Sequence, residues 1–545
     1  MTKPKEDFTS RGFLVAAATL TILIAVSFIP PLTAGGIKLR RASIVADVIN
    51  HKEQTSENQE PLPEIDVREF EVDLAQVAEQ VAETTATASP TGEATSASWE
   101  GIFDEQPTGG EIEQSTPLPL EAILTADYSD ILPEDGLITS VEEFRGDDFD
   151  TPLNRFYEKL LAGQEPVRVA FMGDSFVEGD ILTADLRELL QDTFTGGGVG
   201  FVPFASPFTG FRQTIKTTSK GWTPYNIIQR KSVPEPYVGD FFVSGWVARP
   251  AAGASTRWEM SSKRRHLEEC SRARLLFICR EAASIAVRLN DGEERIFEFE
   301  ADDVVRQIVV EEERISSLEM KILSGEAGFT GIGADFDSKE GVAVDNFSIR
   351  SNNGQAMFWS SAAVNAQIHT MRAYDLVILQ YGLNIMQADR HNYSLYGEQV
   401  EKMIRYAESC FPGAAILVMG VSDRSQRGEQ GIVPMSSAVD LTASQREAAE
   451  KCGASFWNTY EAMQRMGGMT RFVENGWAGK DYTHINYAGG REIARQLYYG
   501  LLQGAQSRSR TLRQRMEDAQ PVLPERELEI EEPELNIDTL ITIER

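Results

Sequence analysis

The chain is poor in the residues that build metal sites and disulfide frameworks. Its 545 residues include five histidines and four cysteines. No two cysteines make a C-x-x-C pair, so no zinc site is suggested, and four are too few for a disulfide scaffold. Cations are also short: 52 Lys+Arg stand against 83 Asp+Glu, a formal charge of -31. Nucleic-acid binding needs clustered cations to displace counterions, so that class is excluded. Hydrophobic residues make up 42%, enough for a sizeable core, and the length leaves room for about three domains.

The acidity lies mostly in the flanks. Residues 42–140 carry 22 acidic and two basic residues, and residues 517–545 carry 10 and two. The first flank is rich in Glu, Thr, Ser, Ala and Pro, as in ETTATASPTGEATSAS at 83–98. Such a composition buries too little apolar surface to offset chain entropy, so both flanks read as disordered. About 100 flexible residues span roughly 50–60 Å, a reach that suits a polymeric substrate at a distance.

Residues 12–37 contain no charge, a run of 26. Its apolar part, 13–29, is just long enough to cross a bilayer. Basic residues flank it on both sides, so loop charge does not orient it. An uncleaved signal-anchor is the preferred reading over a cleaved signal peptide. Either places the body outside the cytoplasm.

The body opens with a buried-strand pattern, VRVAFM at 167–172, which stops at Gly173-Asp174-Ser175 and leads into an amphipathic helix at 182–194. Ligands of open α/β sheets bind at this strand edge. Further strand patterns lie at 374–380, 414–420 and 454–459, with helices at 393–410 and 487–502. Alternating β and α elements imply a parallel sheet covered on both faces. The strand at 374–380 ends in Tyr381-Gly382-Leu383-Asn384, and the last helix follows Asp481-Tyr482-Thr483-His484. At this spacing Asp481 can bond His484 Nδ1 and orient Nε2 toward a nucleophile, as a Ser-His-Asp triad requires. His369 and His391 read as packing or surface residues, and Asp174 as serving the turn.

Gly173-Asp174-Ser175, Gly382-Leu383-Asn384 and Asp481-x-x-His484, in this order and each at a strand end, make the body resemble the SGNH hydrolases of the GDSL esterase superfamily. The remaining family block is a single glycine some 30 residues before the asparagine. Gly354 has that spacing; the glycine run at 196–200 is the other candidate and lies far earlier. Choosing Gly354 leaves an insertion at 213–341. Its alternating runs at 274–279, 284–289, 295–299 and 304–310 read as a β-sandwich. Its aromatics, Trp222, Tyr225, Tyr237, Trp246 and Trp258, either stack on sugar rings or pack the sandwich core. This layout resembles bacterial peptidoglycan O-acetylesterases with an inserted carbohydrate-binding β-sandwich. The sequence departs from the family pattern at Ile385, where an acid often follows the asparagine.

The implied fold is α/β: an SGNH (flavodoxin-like) three-layer parallel-sheet domain interrupted by a β-sandwich, with an N-terminal membrane helix and disordered flanks. The implied division is a cytoplasmic segment 1–11, a transmembrane signal-anchor 12–34, an acidic linker 35–140, hydrolase parts 141–212 and 342–504 around the insertion 213–341, and an acidic tail 505–545. The resemblance implies a serine esterase removing O-acetyl groups from an envelope polysaccharide, peptidoglycan foremost. Ser175 is then the nucleophile, His484 the general base and Asp481 its orienting partner. Ser175 N–H, Gly354 N–H and the Asn384 amide are the oxyanion donors. No cofactor and no metal are called for. The same triad serves an O-acetyltransferase, and a catalytically silent glycan-binding envelope protein is the alternative of another class. Cys410 with Cys452, and Cys270 with Cys279 across a hairpin, are the candidate disulfides.

Overall fold

The computed structural model describes residues 120–145, 150–207, 212–428 and 431–519, together with the two-residue strands Thr33–Ala34, Ile37–Lys38 and Thr95–Ser96. Residues 12–32 of the expected membrane span and most of the expected linker lie outside the described residues. Among the described residues no helix is long and apolar enough to cross a membrane. Thr33–Ala34 and Ile37–Lys38 pair antiparallel with each other.

Five strands form a parallel sheet: β1 (Pro166–Gly173), β2 (Gly341–Ser348), β3 (Leu376–Gln380), β4 (Ala415–Met419) and β5 (Ser455–Trp457). Their spatial order is β2-β1-β3-β4-β5, the flavodoxin-like order. β1, β3 and β4 are apolar runs buried along almost their whole length, as strands covered on both faces must be. The helices fall into two packed groups. α1 (Pro152–Ala162) and α2 (Thr183–Phe194) pack on the long terminal helix α6 (Tyr487–Ala519). α3 (Ala362–Met371) packs on α4 (Ser394–Cys410) and on the segment Asp302–Ile315, and α4 and α5 (Ser437–Cys452) pack on each other and on β4. α1 has a well-made start: Thr151 Oγ1 accepts from Asn154 N at 3.1 Å and Pro152 takes the first turn. The chain order of the sheet reverses between β1 and β3, so a crevice opens beyond their C-terminal ends.

A second, ten-stranded antiparallel sheet is built mainly by the chain between β1 and β2. Ile215–Asn226 and Ser317–Ser324 flank Trp246–Met260, and Ala283–Leu289 and Glu294–Phe299 continue that layer. Cys270–Cys279 lies between Phe329–Asp337 and Asp302–Ile315 in a second layer. A single residue pair, Gly331 with Ala248, joins the two. Ile285, Leu318 and Met320 from one layer and Leu275, Phe277 and Phe329 from the other fill one core.

Several expected boundaries move. Gly200–Pro203, assigned to the first hydrolase part, pairs with Phe329–Asp337 of the antiparallel sheet. Within the expected linker 35–140, Thr95–Ser96 runs parallel to Asp302–Ile315, and Leu120–Thr125 is helical. Thr139 C=O accepts from Trp457 Nε1 at 2.9 Å, and Glu142 bridges Phe456 beside β5. The expected tail 505–545 begins as ordered helix: α6 runs to Ala519, with Ala505 and Ser509 buried and Arg508 paired with Glu158. All four cysteines are free. Cys270 and Cys279 end the same strand, about 30 Å apart at 3.3 Å per residue, far beyond disulfide reach.

The antiparallel layers are seated on the parallel sheet by a buried ion network. Arg168 of β1 and Arg272 both donate to Asp337, and Arg274 donates to Asp335 at 2.7 Å. Arg372, fully buried after α3, donates to Asp335 at 3.1 Å and to Asp345 of β2, where Tyr374 Oη also donates at 2.7 Å. Burial opposes the Arg372 charge, but Asp335 and Asp345 outweigh it and hold the guanidinium well above its usual value. Each charge taken from water here has a partner, the condition for tolerating burial.

Candidate active site

Ser175 sits two residues past the end of β1. Asp174 Oδ1 accepts from Phe176 N at 2.9 Å, closing a local turn that turns the serine out at the strand's C-terminal edge. Gly173 is required by this turn: a Cβ there would lie 2.3 Å from Val177 Cγ2. The segment after the turn is clamped from below. Buried Asp180 accepts from Thr183 and Arg212, and Asn346 Nδ2 of β2 donates to Val177 O at 2.8 Å and Asp180 Oδ1 at 3.0 Å. Burial works against the Asp180 charge, but Arg212 and Arg187 outweigh it and hold the carboxyl well below the usual range.

Asn384 stands on the turn after β3, where Gly382 C=O accepts from Ile385 N and Met386 N at 2.9 and 3.1 Å. Its Nδ2 donates to Asp174 Oδ2 at 3.1 Å and to the Asn352 carbonyl at 3.0 Å. Gly354 N–H donates to Asn352 Oδ1 at 2.9 Å. Gly354 has φ +97°, and a Cβ would meet Met403 Sδ at 2.1 Å, so no larger residue fits. Two of the three expected oxyanion donors are therefore engaged by Asn352 and Asp174, while Ser175 N–H has no partner among the described residues. Asn352, 2% exposed, holds both the Gly354 and Asn384 segments. Sequence reasoning passed over it; the Asn-x-Gly spacing of an Asx turn is the signal that marks it. Burial pushes the Asp174 carboxyl up to about 7.

The third element is the loop before α6. Asp481 Oδ2 lies 2.7 Å from His484 Nδ1, and Asp481 Oδ1 accepts from Thr483 N and His484 N, each at 3.1 Å. Partial burial raises the Asp481 carboxyl, but these bonds outweigh it and keep it below the usual value. The loop is closed by Gly479 N donating to His484 O at 2.8 Å. Tyr487 Oη donates to Gly179 O at 2.8 Å, which docks the start of α6 on the Ser175 turn. Ser175 Oγ and His484 Nε2 are not hydrogen-bonded to one another, and neither has a partner among the described residues.

One further side chain reaches this edge. Arg424 follows β4; its Nη1 lies 3.5 Å from Met386 O, at the limit of a hydrogen bond, while Asp481 acts on its charge. The next residue, Ser425, donates its N–H to Tyr482 O at 3.1 Å. Beside Gly179 a cavity of about 420 Å³ lies between the two sheets, lined by Phe201, Trp246, Ser348, Arg350 and Ser351 among others. Of the five aromatics singled out in the insertion, Trp258 and Trp222 pack on Phe204, and Tyr225 and Tyr237 pack on each other; Trp246 alone lines this cavity. His369 packs against Phe411, and His391 pairs with Asp440 on the surface. Among the described residues no cluster could hold a metal ion.

No protein-family model matches the chain, and no curated protein does. Among solved structures, a peptidoglycan O-acetylesterase superposes with a TM-score of 0.53 at 20% identity, over 67% of this chain and 99% of that one. A lipase/acylhydrolase from Enterococcus faecalis matches 30% of this chain and 78% of its own at 16% identity and a TM-score of 0.23. A family two carbohydrate esterase from Cellvibrio japonicus matches 55% of this chain and 99% of its own at 8% identity and a TM-score of 0.23. The last two are too distant to carry an argument. The first shows the fold: over about two thirds of its length the chain is built like that peptidoglycan O-acetylesterase.

Proposed function

We propose that this protein is a serine esterase that removes O-acetyl groups from a cell-envelope polysaccharide, with peptidoglycan as the first substrate to test. The observation that carries the reading is the Asp481–His484 pair, bonded at 2.7 Å, at the sheet edge that also presents Ser175, with His484 Nε2 and Ser175 Oγ both unpartnered among the described residues. Ser175 Oγ attacks the acyl carbon while His484 Nε2 takes its proton. His484 then protonates the leaving sugar hydroxyl, and water repeats the sequence on the acyl-enzyme. Asp481, held ionised by its three bonds, fixes the imidazole tautomer and stabilises the imidazolium. Ser175 N–H is ready for the oxyanion. Gly354 N–H and Asn384 Nδ2 serve it by turning from Asn352 and Asp174 as negative charge develops, since an oxyanion is the stronger acceptor. In this reading residues 12–34 tether the body outside the cytoplasm, within reach of the polymer.

The test is acetate release by the full chain from O-acetylated peptidoglycan and from other acetylated glycans, with Ser175→Ala as control. Release from peptidoglycan that disappears in the variant supports enzyme and substrate class together. Release that persists in Ser175→Ala sinks the serine mechanism. Turnover that requires an added glycan acceptor points instead to acyl transfer.

A further inference from the structure

The arginines around the site differ in what holds them. Arg212 is held by Asp180 at 2.9 Å, and Arg350 Nε donates to Glu178 at 2.8 Å. Arg424 has no carboxylate within 4.0 Å of its guanidinium among the described residues, where the one hydrogen bond of that guanidinium is the long contact to Met386 O. It is nevertheless half-buried, and that burial lowers the guanidinium below its usual value, with Asp481 and Tyr393 only partly offsetting the effect. A guanidinium withdrawn from water without a partner is costly, and its planar fork matches a carboxylate in a two-bond geometry.

Its position is set from two sides. Its head reaches Met386, two residues after Asn384, and the neighbouring Ser425 N–H is bonded to Tyr482 O, two residues before His484. Arg424 C=O accepts from Met435 N at 2.8 Å, which pins the main chain where the hairpin Ser425–Gly428/Gly431–Pro434 begins. The free donors of Arg424 thus lie between the loop that carries Asn384 and the loop that carries Asp481 and His484. Those two loops carry the groups that the esterase reading above assigns to the acyl centre.

We propose that Arg424 is a specificity-determining residue that binds a carboxylate carried by the acetylated glycan, close to the acetylated hydroxyl. The proposal rests on the esterase reading above and names the substrate class for that site: anionic rather than neutral acetylated glycans. The carboxylate has two possible sources, the sugar ring itself or a peptide attached to it.

Two substrate pairs separate them. The first is an acetylated oligogalacturonate and the same oligomer with its carboxylates methyl-esterified. The second is an acetylated disaccharide-peptide with its stem carboxylates free or amidated. For the full chain, kcat/KM should favour the free carboxylate by roughly 10–100-fold in at least one pair, the range for a hydrogen-bonded charge pair. The gain should sit in KM. In Arg424→Gln that ratio should collapse toward one, and Arg424→Lys should keep part of it. If Arg424 only supported Asp481, Arg424→Gln would slow both members of a pair equally and leave the ratio intact, which overturns the proposal. So does a wild-type ratio of one in both pairs. Binding of the same pairs to Ser175→Ala by calorimetry keeps the two readings apart. Carboxylate-dependent binding with no hydrolysis of any ester would remove the esterase and leave this site standing. Hydrolysis without discrimination would do the reverse.

Discussion

Replacing Asp174 with Asn should raise stability above neutral pH while lowering activity. The Asp174 carboxyl is fully buried between the Ser175 turn and Asn384, and burial pushes it from 3.8 up to about 7. Between these two values the folded protein holds a proton that the unfolded chain has released. Stability therefore falls as pH rises through this window and levels off above about 7. At 1.36 kcal/mol per unit, the whole effect is on the order of 4 kcal/mol. An asparagine cannot ionise, so Asp174→Asn should escape it. The gain is smaller than that ceiling because the amide forfeits charge-assisted bonds to Phe176 N and Asn384 Nδ2. About 1–3 kcal/mol at pH 8, shrinking to nothing near pH 5, is the expected result. The activity cost follows from geometry. With its oxygen kept for Phe176 N, the new amide turns an NH₂ group toward Asn384, donor against donor. Asn384 then either keeps donor against donor or, flipped, sets its Oδ1 against the Asn352 carbonyl; either way the Nδ2 expected to serve the oxyanion is misplaced, and losing one oxyanion donor costs roughly 10²–10³ in kcat. Urea unfolding of both proteins from pH 5 to 8, with ester hydrolysis at pH 7.5, tests this. Stability curves that stay parallel across the range would refute the argument.

Three other substitutions probe neighbouring features. Asn352→Ala removes the acceptor that sets Gly354 N–H, and kcat should drop by up to about 10² with KM little changed, read from steady-state kinetics. Gly354→Ala forces a Cβ onto Met403 Sδ at a φ of +97°; thermal melting should show a loss that Met403→Ala relieves only in part, because the backbone strain remains. Arg372→Met leaves Asp335 and Asp345 buried without their shared partner. It should cost about 3–5 kcal/mol in urea unfolding at pH 7, and less in acid, where the carboxylates can take up protons.

The local parts of the site were legible because their bonds are local. Asp481 meets His484 N three residues on, and Asp174 meets Phe176 N two residues on; spacing alone allows these contacts. The apolar runs of β1, β3 and β4 announced themselves because strands buried on both faces need such runs. β2 escaped notice: it begins with a glycine and carries Asp345 and Asn346, polar residues that make sense only beside Arg372, Asp180 and Thr183. The same holds for α6 beyond residue 504, where Arg508 and Ser509 look like surface residues until α6 is seen packed on α1.

What the sequence by itself determined was the list of chemical groups, their order, and the short-range turns that present them. Only the tertiary structure decided which groups meet. Asp174 and Asn384 are 210 residues apart, and Asn352 and Asn384 are 32 apart. The sheet order β2-β1-β3 brings them to one edge, where Asn352 and Asp174 engage two of the expected oxyanion donors and, among the described residues, no carboxylate pairs with Arg424. Spacing can specify a turn because few backbone torsions separate its partners. It cannot specify a contact across a sheet, where strand order and register decide what lies alongside.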